Sequence, residues 1–231
     1  MFAVIFDMDG LMLDTERIAR RAWRRAMAEL GYPIDDHTYL QIVGRTARDA
    51  RAFLCAACGS DFPFERVYAL RQAYYDTDLA ENGVPVKPGL LELLDYLEAQ
   101  HIPKAVGTST ARKFARVKLN GAGLLDRFSA MVCGDEVPNG KPAPDVFLAA
   151  AWLLAVNVDH CVVLEDSEAG IRAAYAAGAV PVMVPDLKQP TPDVSLLAYR
   201  VLPDLHAVIP LLAEFGQQGL PAFEAHRLID S

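Results

Sequence analysis

The stretch Cys161-Val-Val-Leu-Glu-Asp-Ser-Glu-Ala-Gly-Ile-Arg-Ala-Ala-Tyr-Ala-Ala-Gly-Ala-Val-Pro-Val-Met-Val184 decides the fold. Residues 161–164 form an unbroken apolar run. Such a run fits a strand buried on both faces rather than the alternation of a sheet with one wet face. Residues 168–177 then read as a helix closed by Gly178, and residues 180–184 as a second apolar strand. Strand, helix and strand in such quick succession predict a βαβ unit, whose two strands run parallel. The same rhythm extends both ways. Upstream lie strands at 3–6, 104–107 and 130–133 and helices at 90–100, 111–120 and 145–154, the last behind Pro142 and Pro144. Downstream lie a weak strand at 200–202 and a helix at 205–215. The expected fold class is therefore α/β, a Rossmann-like parallel sheet with helices on both faces.

One block breaks the rhythm. Between the first strand and residue 84 no strand pattern occurs. Ala19, Ala22, Trp23, Ala26, Met27 and Leu30 share one helical face before Gly31, and residues 38–43, 47–57 and 64–80 read as further helices. The expected organisation is a core of residues 1–16 and 84–216, a small helical bundle of residues 17–83 inserted after the first strand, and a tail of residues 217–231.

Composition narrows the function. The chain has 231 residues, 52% of them hydrophobic and 23% charged, which is globular rather than disordered. A net charge of -8 and a pI near 5.1 argue against binding a nucleic-acid polymer. The start, Met1 to Phe6, lacks a basic segment and meets Asp7 too soon for a signal peptide. The longest apolar run, residues 146–156, is too short to span a bilayer. Four cysteines do not make a disulfide scaffold, and the Cys55/Cys58 pair has no second half to complete a zinc site. It reads as two small apolar residues near a helix end. The expectation is a reduced, cytoplasmic, monomeric protein with no membrane partner.

In open α/β sheets ligands sit at the carboxyl ends of the strands. Those ends carry Asp7-Met8-Asp9-Gly10, Thr108-Ser109-Thr110, Gly134-Asp135-Glu136 followed by Lys141, and Glu165-Asp166-Ser167. Acids gathered at one apolar edge repel unless a cation lies among them. Oxygen donors without His or Cys suit a hard divalent ion, Mg²⁺ above all. Hydroxyls and a lysine beside that ion suit a bound anion. Together these features point to phosphoryl transfer, in which a carboxylate can be the nucleophile. Individually each has a plainer explanation: Asp7 as a strand cap, Lys141 as a surface lysine, Asp166 as the N-cap of the following helix.

The set resembles the haloacid dehalogenase (HAD) superfamily, in its phosphatase and β-phosphoglucomutase-like branch. Asp7-Met-Asp-Gly-Leu-Met-Leu-Asp-Thr-Glu16, Thr108, Gly140-Lys-Pro-Ala-Pro-Asp145 and Leu164-Glu-Asp-Ser-Glu-Ala-Gly-Ile171 match its four motifs in order. The resemblance implies that Asp7 is the nucleophile and Asp9 the general acid and base. It implies that Thr108 and Ser109 hold phosphoryl oxygens and that Lys141 neutralises charge on both nucleophile and phosphate. It also implies Mg²⁺ held by Asp7, Asp9 (through its carbonyl) and directly by Asp166, with Glu165 either a ligand or a residue supporting the ligands from behind. Gly10 would allow the tight turn of this loop. Asp9 favours phosphate esters over C–halogen or C–P cleavage, because the relatives with those activities depart from the motif there.

In that family a helical block between the first two motifs is a cap domain, here with hinges at Asp14 and Thr15 and at residues 82–85. The insert holds 10 of the 22 Lys and Arg but only 9 of the 30 Asp and Glu. Arg45 and Arg48 are the candidates for contacts with a small phosphorylated metabolite. Arg17, Arg20, Arg21, Arg24 and Arg25 read as a solvated helix face, with Arg25 pairing Glu29. The expected function is a phosphatase of a sugar phosphate or similar metabolite. The alternatives are a β-phosphoglucomutase-type mutase and a non-catalytic binding protein. Ala19 stands where the mutase resemblance calls for a histidine, and His37, His101, His160, His206 and His226 lie off the motifs.

Overall fold

A computed structural model describes residues 2–43, 47–59 and 61–221. The chain divides into two compact units, Met1–Leu13 with Val86–Ser231, and Asp14–Pro85. Strand β1 (Ala3–Phe6) opens the first unit. The second unit contains α1 (Thr15–Glu29), α2 (Asp36–Leu40), α3 (Ala47–Cys58) and α4 (Phe64–Asn82), and no strand among its described residues. The first unit then resumes with α5 (Leu90–Ala99), β2 (Lys104–Gly107), α6 (Arg112–Gly121), β3 (Ala130–Val132), α7 (Asp145–Leu153) and β4 (Cys161–Glu165). It ends with α8 (Glu168–Ala177), β5 (Val180–Met183), α9 (Pro192–Leu197), β6 (Arg200–Val201) and α10 (Val208–Gln218).

The sheet has six strands, all parallel, in the order β3-β2-β1-β4-β5-β6. The chain builds outward from β1 through β2 and β3, then returns to the other side of β1 for β4. The order therefore reverses between β1 and β4, and the crevice at their carboxyl ends is where such sheets bind ligands. In register Phe6 faces Leu164, so Asp7, just past β1, lies beside Glu165, the last residue of β4.

Both faces of the sheet are covered. Ala3, Ile5, Ala105 and Val163 pack with Val146, Phe147 and Ala150 of α7 and Ala173 and Ala174 of α8. The alternate residues Val4, Phe6, Val162 and Leu164 are equally buried, and Phe6 meets the Phe128 ring edge-on. This explains the unbroken apolar runs, since no strand position in the centre can reach water. On α5, Leu90, Leu93, Leu94 and Leu97 recur at helical spacing and are wholly buried. Each such leucine stabilises by about 1.5–3 kcal/mol.

In the second unit α1 and α4 pair through Ile18, Ala19, Ala22 and Tyr75, and Trp23 lies against Phe64 and Tyr68. Asp35 caps α2 by accepting from the Thr38 amide at 2.8 Å. The helix therefore starts two residues before the expected 38–43 and ends earlier. The last helix also differs from expectation, running from Val208 to Gln218 instead of 205–215. It thus enters the segment expected to be a tail, and residues 222–231 lie outside the described residues. Helix α9 was not legible in the sequence. Among the described residues no helix is long and apolar enough to cross a membrane.

Candidate active site

The site grows out of the sheet's hydrogen bonds. The Asp7 amide donates to the Leu164 carbonyl at 3.0 Å and the Thr108 amide to the Val132 carbonyl at 3.0 Å. Both residues therefore continue the ladder one rung past their strands, and both are buried. Lys141 arrives on the loop before α7. Its ammonium donates to Asp7 Oδ1 at 2.5 Å, to Glu165 Oε1 at 2.6 Å and to the Gly107 carbonyl at 3.0 Å. Three acceptors match the three protons of an ammonium. The side chains of Lys141, Asp7 and Glu165 are 5%, 10% and 0% exposed, so this is a buried charge cluster and not a surface lysine.

Glu165 is locked further. Its Oε2 accepts from the Ser167 amide at 2.9 Å and the Ser167 hydroxyl at 2.8 Å. Ser167 Oγ in turn accepts from the Gly170 amide, so Ser167 caps α8. Asp166 is thereby released from the capping role that its position also allowed. A Cβ on Gly170 would fall 1.8 Å from Glu165 Oε1, so only glycine leaves room for that carboxylate. Gly10 is constrained twice. Its φ is +89°, and a Cβ there would fall 2.2 Å from Asp166 Oδ2.

Asp7, Glu165 and Asp166 each bring one carboxylate oxygen to within 4.8 Å of the others. Oxygen donors alone suit Mg²⁺ better than zinc or copper. Burial pushes the Asp7 carboxyl up to about 7; Lys141 opposes that rise, while Glu165 and Asp9 add to it. Burial alone would pull the Lys141 ammonium down, but Asp7 and Glu165 outweigh it and hold it above the ordinary range. The cluster carries more buried negative charge than one ammonium offsets, which is the electrostatic condition for holding a cation.

The Asp9 side chain turns elsewhere. Its Oδ2 accepts from the Thr110 hydroxyl at 2.7 Å and its Oδ1 from the Lys118 ammonium at 2.7 Å. Thr108 Oγ1 accepts from the Thr110 amide at 3.1 Å, and Ser109 is exposed on the same turn. The third strand's acids do not join the cluster. Asp135 accepts from the Arg112 amide at 2.9 Å and Glu136 from the Arg112 guanidinium at 2.8 Å. They brace the loops after β2 and β3 against each other.

Lys118 is the residue that sequence reasoning missed. A signal existed: Lys118 lies three residues past Ala115 and one before Leu119, the buried positions of α6. A charge on the apolar side of a helix needs a partner.

Arg45 lies outside the described residues, and Arg48 is exposed on α3. The α1 arginines are engaged within their own unit: Arg17 with Asp14, Arg20 and Arg24 with Asp36, Arg21 with Asp78. The expected pairing of Arg25 with Glu29 gives way to a shared aromatic partner. Arg25 stacks 3.8 Å from the Tyr74 ring centroid, and the Tyr74 hydroxyl donates to Glu29. Cys55 and Cys58 are free thiols, and partial burial, with the neighbouring Cys55, pushes Cys58 above the ordinary thiol range.

Residues 4–184 match the family model described as haloacid dehalogenase-like hydrolase. The chain is 35% identical over 182 residues to a phosphorylated carbohydrates phosphatase of Thermotoga maritima, covering 77% of this chain and 82% of that protein. It is 37% identical over 182 residues to a fructose-1-phosphate phosphatase of Escherichia coli, covering 76% and 92%. Among solved structures it is similar to a HAD family hydrolase of Deinococcus radiodurans with bound phosphate and sodium. That likeness has a TM-score of 0.77 at 29% identity and covers 94% of this chain and 96% of the other.

Proposed function

The chain belongs to the haloacid dehalogenase-like hydrolases, and from that premise we propose that it is a Mg²⁺-dependent phosphatase of a small phosphomonoester, acting through an aspartyl-phosphate on Asp7. The observation that carries this reading is the buried Asp7, Lys141 and Glu165 side chains, with half-buried Asp166 beside them, at the point where strand order reverses.

In the first step an Asp7 carboxylate oxygen attacks phosphorus. The bond from phosphorus to the ester oxygen breaks, and Asp9 delivers a proton to that oxygen as the alcohol departs. Lys141 holds the nucleophile and offsets phosphoryl charge. The Thr108 hydroxyl and the Ser109 amide receive phosphoryl oxygens at the end of β2. In the second step Asp9, now a carboxylate, takes a proton from water as the water oxygen attacks phosphorus. The bond to Asp7 breaks, and inorganic phosphate and free Asp7 result. Asp7, Asp166, Glu165 and the Asp9 carbonyl would hold the Mg²⁺. When bound, it neutralises charge on the nucleophile and the phosphoryl oxygens.

We assign the helical unit the role of a cap hinged near Asp14 and Thr15 and at residues 82–85, with Arg45 and Arg48 meeting the substrate. The substrate class is a sugar phosphate or a similar metabolite, supported by the relatives named for such phosphatases. Hydrolysis is preferred over a mutase reaction because position 19 is an alanine packed between Ile18, Ala22 and Tyr75. An Asp7→Asn variant should lose turnover of p-nitrophenyl phosphate by about a thousandfold or more. Phosphate release at the full rate would overturn the proposal. So would isomerisation of a hexose phosphate, stimulated by a bisphosphate and without net phosphate release.

A further inference from the structure

We propose that Lys118 and Thr110 are positioning residues that aim the Asp9 carboxylate at the leaving-group oxygen, and that they set how strongly the enzyme depends on the leaving group. The inference rests on the phosphatase reading above but adds two residues, Lys118 and Thr110, to which that reading gives no role.

Three observations carry it. First, the two contacts come from different parts of one segment. Thr110 ends the turn after β2, Lys118 lies two helical turns further along α6, and they take opposite oxygens of the same carboxylate, both at 2.7 Å. A carboxylate held at both oxygens is fixed in both its position and its plane. Second, Lys118 sits on the side of α6 that buries Ala115 and Leu119, and its side chain is only 14% exposed. A leucine or methionine would fill that position without desolvating a charge, so stability does not explain a lysine there. Third, Asp9 lies two residues from Asp7 on a turn already restrained by the Gly10 amide, which donates to the Leu13 carbonyl at 2.9 Å. With the backbone tied, the remaining freedom is the side-chain rotamer, which the Thr110 and Lys118 contacts restrain. Catalysis by an oriented group depends on such restraint, and small displacements are costly.

The consequence is specific. An alkyl phosphate needs a proton on its departing oxygen, whereas p-nitrophenolate leaves as a stable anion. The parameter kcat/KM covers only steps up to the first irreversible one, so with the aryl ester it does not report Asp9 as an acid. The experiment measures kcat/KM for p-nitrophenyl phosphate and for whichever of fructose 1-phosphate, ribose 5-phosphate and glycerol phosphate the wild type turns over fastest. Lys118→Met should lower the alkyl-to-aryl ratio of kcat/KM about tenfold, a fraction of what a general acid contributes. Lys118→Arg should restore part of that loss, and Thr110→Val should lower the ratio by about threefold.

An unchanged ratio, from equal loss on both esters or from none, overturns the inference. Should Lys118→Met not fold, Thr110→Val decides alone by the same criterion. Failure of the underlying reading looks different: the wild type hydrolyses no alkyl phosphate, or Asp7→Asn remains active. An unchanged ratio in an enzyme that Asp7→Asn silences rejects only the positioning role.

Discussion

Two charge-rich regions of this chain look alike in the sequence and differ in physics. Helix α1 carries five arginines within nine residues, Arg17 to Arg25, and the carboxyl edge of the sheet gathers Asp7, Glu165 and Asp166 from strand ends and Lys141 from the loop before α7. The arginine side chains in ion pairs are 38–64% exposed, and each meets its acid within the same unit. Exposed pairs of that kind contribute about 0–1 kcal/mol each, because water screens them and their long side chains lose freedom. The sheet cluster shares one ammonium between two carboxylates with almost no water. There, removing one partner strands the others in a poor solvent. Charge density alone does not mark a site; convergence of unequal charges out of water does.

The largest effect expected from that contrast is at Lys141. Lys141→Met should cost about 3–5 kcal/mol of stability by leaving Asp7 and Glu165 buried without their cation. It should also abolish phosphatase turnover. Urea unfolding and a phosphate-release assay measure the two losses separately. A stability change below about 1 kcal/mol would show that water already reaches the cluster, and would erase the contrast with α1.

What was legible in the sequence follows the same division. The central strands could be read because burial on both faces allows nothing but apolar residues at 4–6 and 161–164. Strand β6 is two exposed residues on the edge, Arg200 and Val201, so burial left only a faint pattern there. Helix α9 begins with a proline and buries only Val194, too little periodicity to register. At the candidate site, Asp7, Glu165 and Asp166 were legible because they stand at the ends of buried strands, and Lys141, on the loop before α7, through the motif Gly140 to Asp145 that carries the family resemblance. Asp135 and Glu136 follow a strand as well but turn to Arg112, a contact that depends on how two loops pack. Lys118 escaped notice because its role depends on the face of α6 it occupies, and a single lysine among Arg112, Lys113 and Arg116 does not announce that.

A second buried pair tests whether the contrast extends beyond the site. Lys87, on the segment entering α5, donates to Asp186 Oδ1 at 2.5 Å, and their side chains are 16% and 5% exposed. Asp186 Oδ2 is buried without a hydrogen-bond partner. Lys87→Met should therefore destabilise by about 3 kcal/mol, since it leaves a carboxylate buried and uncompensated. Replacing both partners, Lys87→Met with Asp186→Leu, should recover most of that loss, because the cost lies in the stranded charge and not in the missing bond. A double variant as unstable as the single one would mean that the pair is held for its shape and not for its charge balance.

The smallest effect belongs to the arginine stripe, and it is the sharpest test because the expected number is near zero. Arg24 reaches Asp36 at 3.4 Å, and Arg20 reaches the same carboxylate at 3.2 Å. Removing Arg24 leaves Asp36 paired and solvated, so no charge is stranded. Arg24→Ala should change stability by about 0.5 kcal/mol or less. The change should vanish at high salt, where the Debye length falls to about 3 Å at 1 M. Urea titrations at low and high ionic strength would measure both. A loss above about 2 kcal/mol that persists at 1 M salt would mean that the stripe is a buried network in solution, in conflict with the exposure of its side chains. If the loss is small and salt-sensitive, the five arginines of α1 are a solvated face. The search for substrate contacts in this unit would then turn to Arg45 and Arg48.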